Sequence, residues 1–432
     1  MVLFRVADLR KARLSRSSLL IIFSLYSGIA VFYCHYTAQA FLFVKNNKNH
    51  RLPIASNRRS LPSSSSTTTT TIRLLTELEA STATSNNNNN NSNNDNTTSN
   101  YKYYRTMLSV NEKTRDGLKN KTILLTGATG GLGKALAIQI AHHCDPKCLI
   151  LSGRKIDTLN NIANECRNSS SSSSSSSATT NNNVIHTLPA DLSNKELVQQ
   201  LGDRALELVA DNANRIDVLI NCGGVSSRSD FVDTKLDVDE QVMQINFFAG
   251  AALAKKVVPG MMMMSGNGGD GGGSSGGKII WISSVQGLMG IPSRTSYAAS
   301  KFAVQGYCEA LRSELVSSHI QVHCVSPGYI RTNLSLSAVT GDGTPHGTMD
   351  AATANGADPM EVAVEILDTI YINGRNDFIV ASSLSTKVAI WLRLLCPGVL
   401  QSLLVKRYEK AAAAKLQQKE FTDPHASAKK ID

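Results

Sequence analysis

The chain begins with almost no acid. Residues 1–76 hold a single carboxylate, Asp8, against eleven Lys and Arg, a balance of +10. That equals the net charge of all 432 residues, so the rest of the chain is neutral, with 33 bases and 33 acids. A neutral body has no electrostatic footprint for a phosphate polymer, which argues against nucleic-acid binding. Charged residues (18%) and aromatics (6%) are scarce, whereas 42% of the chain is hydrophobic. This excludes a wholly disordered chain and leaves enough apolar residues for a sizeable core. There is no CxxC among the eight cysteines. Cys144 and Cys148 stand one helical turn apart beside His142 and His143, but no second Cys/His pair lies near enough in sequence to suggest zinc. Buried free thiols in a reducing compartment are the expected state.

Long apolar runs are also missing, so a polytopic membrane protein is excluded. The run Leu19–Tyr33 would reach about 22 Å as a helix, short of a ~30 Å hydrocarbon core. Five basic residues precede it and Ala38-Gln39-Ala40 follows it. Residues 1–40 therefore read as an N-terminal signal peptide or a signal anchor. The second form stays open because apolar residues resume at Phe41–Val44, and Leu19–Val44 uncut would reach about 39 Å. Past Ala40 no acid occurs before Glu77, while Ser and Thr abound. That is the composition of an organelle transit peptide, as in a two-part plastid leader, or of a plain tether. Residues 41–115 are a low-complexity linker with little to bury. The expected address is the endoplasmic reticulum membrane by the secretory route, with the plastid as the alternative.

The body alternates in pattern. Strand-like runs stand at Thr122–Leu125, Cys148–Leu151, Val184–Leu188, Ile216–Ile220, Lys278–Ile282, Gln321–Val325 and Phe378–Val380. Helical periods fill Lys134–His143, Lys195–Val209, Val238–Val258, Tyr297–Ser317 and Pro359–Ile370. Such alternation predicts an α/β fold: one Rossmann-type doubly wound parallel sheet of about seven strands, with helices on both faces. The polar tracts Ser169–Asn183 and Ser265–Gly277 each follow a helix and precede a strand. Such loops lie at the sheet end away from a ligand crevice, so they read as passive insertions.

The first strand runs into Thr126-Gly127-Ala128-Thr129-Gly130-Gly131-Leu132-Gly133 and then a helix. Glycines there permit a tight turn and close approach of the backbone to a pyrophosphate at the helix N-terminus. The second strand ends in Ser152-Gly153-Arg154-Lys155, without the acid that would hold both ribose hydroxyls of NAD. Arg154 and Lys155 suit a 2′-phosphate, so NADP(H) is favoured over NAD(H). Asp191-Leu192 closes the third strand, where the carboxylate can accept from an adenine amino group. Asn221-Cys222-Gly223 closes the fourth, where small residues let the backbone pass a cofactor. Tyr297 and Lys301 are spaced i, i+4 on one helix face. Ser284 stands thirteen residues earlier at the carboxyl end of an apolar strand, and Asn246 lies near the start of a long helix.

TGATGGLG (126–133), DL (191–192), NCGG (221–224), Asn246, SSVQG (283–287), YAASK (297–301) and PGYIRT (327–332) stand in this order. Over Lys121–Ala381 the chain resembles the short-chain dehydrogenase/reductase family. NCGG departs from the family's usual NNAG, and Cys222 lacks an amide that braces the central sheet. The resemblance implies interconversion of a carbonyl and a secondary alcohol by hydride transfer. Tyr297 is then the general acid and base, and Lys301 both lowers its pKa and holds the nicotinamide ribose. Ser284 orients the substrate oxygen, and Asn246 holds a water leading from Lys301 to solvent. Pro327, Gly328, Ile330 and Thr332 fix the nicotinamide carboxamide. No metal is implied.

AVTGDGTPHGTMD (338–350) and VAIWLRLLCPGVL (388–400) further resemble a membrane-anchored branch of the family, linked to reduction of acyl- and alkyl-dihydroxyacetone phosphate. This implies a small, lipid-like substrate. Leu334–Asn355 should form its lid, with Asp342, His346 and Asp350 but no Lys or Arg after Arg331. Residues 116–382 form the expected NADP-binding catalytic domain. Residues 383–432 are apolar helices for a membrane surface, followed by a polar tail; pairing of two copies stays open. The alternatives are a steroid, retinoid or general carbonyl reductase, a plastid 3-oxoacyl-thioester reductase, and a non-catalytic NADP-binding scaffold.

Overall fold

The computed structural model describes residues 109–168, 184–212, 215–263 and 276–422. The leader (1–40), most of the linker (41–115), nearly all of the two polar tracts and the last ten residues lie outside the described residues.

Seven strands form one parallel sheet in the order β3-β2-β1-β4-β5-β6-β7. They are β1 Thr122–Thr126, β2 Cys148–Gly153, β3 Val184–Pro189, β4 Val218–Asn221, β5 Lys278–Ile282, β6 Gln321–Pro327 and β7 Asp377–Val380. The order reverses between β1 and β4, which pair in register from Ile123↔Val218 to Thr126↔Asn221. A doubly wound sheet opens its ligand crevice at such a switch point, beyond the carboxyl ends of the strands.

Period-two alternation sends side chains to the two faces. Ile123 and Leu125 join one core cluster, and Leu124 the other. The first cluster is covered by α2 Gly131–His143, α3 Ile156–Arg167 and α9 Pro359–Asn373, after α1 Glu112–Leu118. The second is covered by α4 Lys195–Glu207, α6 Ala249–Met263 and α7 Thr295–Leu315, with α5 Leu236–Met243 leading into α6. α8 Ala351–Ala354 lies in the lid, and α10 Leu384–Leu395 and α11 Pro397–Thr422 end the described chain. Local chemistry marks the bounds of α9: Asp358 accepts Met360 N–H at 2.8 Å, Pro359 opens the helix, and Gly374 closes it in a left-handed conformation (φ 58°).

The sequence predicts one helix over Val238–Val258, and here the structure differs. α5 stops at Met243, a π turn spans Gln244–Phe248, and α6 follows. Apolar periodicity carries through such a turn, so its break leaves little trace in the sequence. Asn246 lies inside it.

Candidate active site at the carboxyl edge of the sheet

Beyond β1 the chain turns at Gly127, whose φ of +68° lies in the left-handed region. A Cβ there would come 2.6 Å from Gly223 N, so the two crevice turns abut backbone to backbone. Gly130 caps α2 without a side-chain hydrogen bond, which leaves the first N–H groups of the helix for a ligand. A Cβ on Gly131 would stand 2.6 Å from Thr332 Cγ2, so the loop after β6 closes over the glycine turn. Leu132 and Gly133 are buried beneath it. Thr129 sits against Gly153, and Ser152 Oγ is buried without a hydrogen-bond partner. Arg154 and Lys155 stand exposed beyond β2. A cradle that side chains would fill and a bare helix N-terminus fit a pyrophosphate-bearing dinucleotide.

Other expected cofactor residues hold the crevice more than they face it. Thr126 Oγ1 accepts Gly223 N–H at 3.2 Å and donates to Ile220 O at 3.4 Å, bracing β1 against β4. Asp191 Oδ1 takes both N–H and hydroxyl of Ser193, at 2.9 and 2.8 Å. Leu192 packs against Gly223. The Asn221 amide is buried with no partner and lies against Gly250 on α6, so a part in the cradle falls to its main chain. Burial pushes the Cys222 thiol up to about 12, and it stays neutral. Pro327 pairs with Val380, Gly328 N–H donates to Val380 O at 2.9 Å, and Ile330 bridges to Ala357.

The four expected reacting groups converge. Ser284 caps a short 3-10 turn, Val285–Gly287, by accepting Gln286 N–H at 3.1 Å. It also hydrogen-bonds the Tyr297 side chain. Tyr297 is only 6% exposed. Burial raises its phenol above the usual value, and the Ser284 hydrogen bond pulls it down. Next come the charges of Arg228 and Arg294. The sequence assigns that task to the charge of Lys301, and the structure adds Arg228 and Arg294 beside it. Lys301 Nζ lies 5.7 Å from the Tyr297 ring centroid and donates to Ile282 O at 2.9 Å. Burial lowers its own pKa to about 8. The side chain of Asn246 is already committed: Oδ1 accepts Val225 N–H at 2.8 Å, and Nδ2 donates to Val225 O and Ser300 Oγ, each at 2.9 Å. A water held by Asn246 would therefore bind its main chain, where a π turn loosens the helical ladder.

The cations beside Tyr297 lie outside the lid segment. Arg331, the last cation before the lid, pairs at 2.9 Å with Asp358. Arg228 instead comes from the loop after β4, and Arg294 from one turn before Tyr297. Both reach Asp350 of the lid, at 2.5 and 3.2 Å. The Ser-Arg-Thr-Ser-Tyr run (293–297) is the one signal that would have found Arg294.

A parallel sheet with its dinucleotide turn at the switch point, and a hydroxyl pair at its carboxyl edge, defines a nucleotide-dependent oxidoreductase. The sequence model of the short chain dehydrogenase family matches residues 121–342. The chain belongs to this family and acts on CH–OH groups with NAD(P) as acceptor. It is 37% identical over 298 residues to dehydrogenase/reductase SDR family member 7B of Danio rerio, covering 69% of this chain and 89% of that one. To the member 7B of Xenopus laevis it is 38% identical, over 70% and 87% of the two chains. A short chain dehydrogenase/reductase from Burkholderia phymatum, solved in complex with NAD, shares the fold (TM-score 0.51, 20% identity, 64% and 93% covered).

Proposed function

We propose that the chain reduces a carbonyl of a lipid-like substrate to a secondary alcohol, and reverses that reaction, with NADP(H). The observation that carries this reading is the hydrogen-bonded Ser284–Tyr297 pair, buried beside the glycine cradle. Thr126, Gly127, Gly131 and Thr332 shape that cradle, and Arg154 and Lys155 meet the 2′-phosphate. Bound nicotinamide supplies or accepts a hydride. Ser284, with its oxygen already accepting Gln286 N–H, turns its hydroxyl proton toward the substrate oxygen. Tyr297 gives its proton to that oxygen in reduction and removes it in oxidation. Lys301 holds the nicotinamide ribose.

The resemblance at 338–350 and 388–400 supports acyl- or alkyl-dihydroxyacetone phosphate as the substrate class. A membrane surface, with the endoplasmic reticulum as the address, fits α10. None of its side chains is buried, and Leu384, Trp391, Leu394 and Leu395 are all at least 59% exposed. Arg393 ties this helix to the body through Leu288 O, at 3.0 Å, and the Phe302 ring. Among the described residues no helix is long and apolar enough to cross a membrane. The test is NADPH consumption across acyl-dihydroxyacetone phosphate, 3-oxoacyl thioesters, steroids and retinal. Turnover confined to the first supports the substrate class, and absence of turnover with all four sinks it.

Two predictions arise here. Arg154→Asp removes a phosphate partner and adds a repelling charge. It should raise the Kd for NADPH about tenfold or more, and leave NADH within about threefold, in a fluorescence titration. Equal losses for both cofactors would contradict the 2′-phosphate assignment. The pH profile follows from Lys301. Its ammonium is charged below about 8 and is lost as pH rises through that value. kcat/KM for reduction should therefore fall on the alkaline side with a midpoint near 8. A flat profile from about pH 7 to about pH 9.5 would contradict the role of the charged lysine.

A further inference from the structure

Three segments meet beside Tyr297, where two guanidiniums share one carboxylate. Arg228 Nε and Nη2 reach Asp350 Oδ2 at 2.9 and 2.5 Å, and Arg294 Nη2 reaches the same oxygen at 3.2 Å. The remaining contacts of Arg228 are internal: Nη1 donates to Ser226 Oγ at 2.5 Å and to Ser227 O at 2.7 Å. The same turn receives the helix that carries the phenol, because Tyr297 N–H donates to Ser227 Oγ at 3.3 Å. Arg294 is held more loosely. Its side chain hydrogen-bonds Asp350, and it caps α7 without a cap hydrogen bond. The side chains of Arg228, Arg294 and Asp350 are 10, 12 and 21% exposed. Two guanidiniums therefore share one carboxylate in a nearly closed place.

Two further acids on the adjoining elements each accept a serine hydroxyl. Asp230 accepts Ser293 Oγ, and Asp239 accepts Ser296 Oγ. An excess cation in such a place costs stability unless a partner arrives. The start of α7 adds positive potential of its own.

We infer that Arg294, held by Asp350 beside Arg228, receives an anionic group of the substrate, a carboxylate or a phosphate, beside the reacting carbonyl. This rests on Ser284 and Tyr297 being the reacting pair, and it deepens that reading by naming what the rest of the substrate must carry. Burial and the Arg228 charge already disfavour protonated Arg294, which an incoming anion would reverse. A guanidinium fork suits either anion by two parallel hydrogen bonds.

The test is calorimetric titration of the full chain, with and without NADPH, using hexyl phosphate, hexanoate and neutral hexan-2-one. The wild type should bind at least one anion about tenfold or more tighter than the ketone, and the stronger anion identifies the source. Arg294→Met should erase the preference, while Arg294→Lys should keep part of it. Asp350→Asn separates a charge effect from a clamp. It removes the counter-charge, so anion binding should tighten severalfold, whereas a purely structural clamp predicts weaker binding of all three probes. Equal binding of anions and ketone by the wild type, or loosening in Asp350→Asn, overturns the proposal. Failure of the oxidoreductase reading looks different: no carbonyl is turned over with NADPH, yet the anion preference stands.

Discussion

Tyr297→Phe should lower kcat/KM for carbonyl reduction about 1,000-fold, while NADPH binds as it does to the wild type. The substitution removes one oxygen from a buried ring and leaves the packing of α7 intact. Lost with it, in the proposed reaction, are the proton for the developing alkoxide and the contact with Ser284. Ser284 remains, still capped onto Gln286 N–H, and can hold the substrate oxygen but has no acid behind it. A 1,000-fold loss corresponds to about 4 kcal/mol of transition-state stabilisation, within reach of a positioned acid. A phenylalanine variant that kept more than about a tenth of wild-type activity would remove Tyr297 from the chemistry. Loss of NADPH affinity in the same variant would point to a structural cause.

The parts of the site that were legible in the sequence are those that occupy one short segment each. The glycine turn, the Ser284 strand end and the Tyr297–Lys301 spacing are local patterns, and the sheet order brings them together without further information. The low acid content of β2's end, with Arg154 and Lys155, is equally local. What stayed hidden depends on distant segments meeting. Arg228, Arg294 and Asp350 lie 56 to 122 positions apart along each contact. Only folding reveals that they share one oxygen. The orientation of Asn221 toward Gly250 rather than the crevice was hidden too, because strand periodicity assigns a face but not the neighbours on it. The π turn at Asn246 was masked by apolar periodicity that runs on through it. Lys301 shows the same limit: i, i+4 spacing put it beside Tyr297, but the bond it makes is to Ile282 O on β5.

That buried lysine yields the second large effect, and one of mixed sign. Lys301 is 5% exposed, and burial moves its pKa from 10.5 to about 8. At pH 7 the ammonium is charged in both folded and unfolded chains, so the shift represents a folding cost of about 3 kcal/mol. The sign follows from proton binding. Between about 8 and 10.5 the unfolded chain holds more protons than the folded one, so stability rises with pH across that window. Below about 8 the cost is present in full. Lys301→Met keeps the length of the side chain and removes the charge. It also leaves Ile282 O without its donor, a loss of about 1–3 kcal/mol that offsets most of the gain. The variant should therefore unfold in urea at a midpoint equal to or above that of the wild type at pH 7. Its stability should also stay level from about pH 8 upward, where that of the wild type climbs. Carbonyl reduction should meanwhile fall about 100-fold or more, with weaker NADPH binding, if Lys301 holds the ribose as proposed. A methionine variant that unfolded early but kept its rate would make Lys301 a structural residue. Unchanged stability with lost turnover would mark it as a charge retained for chemistry against the preference of the fold.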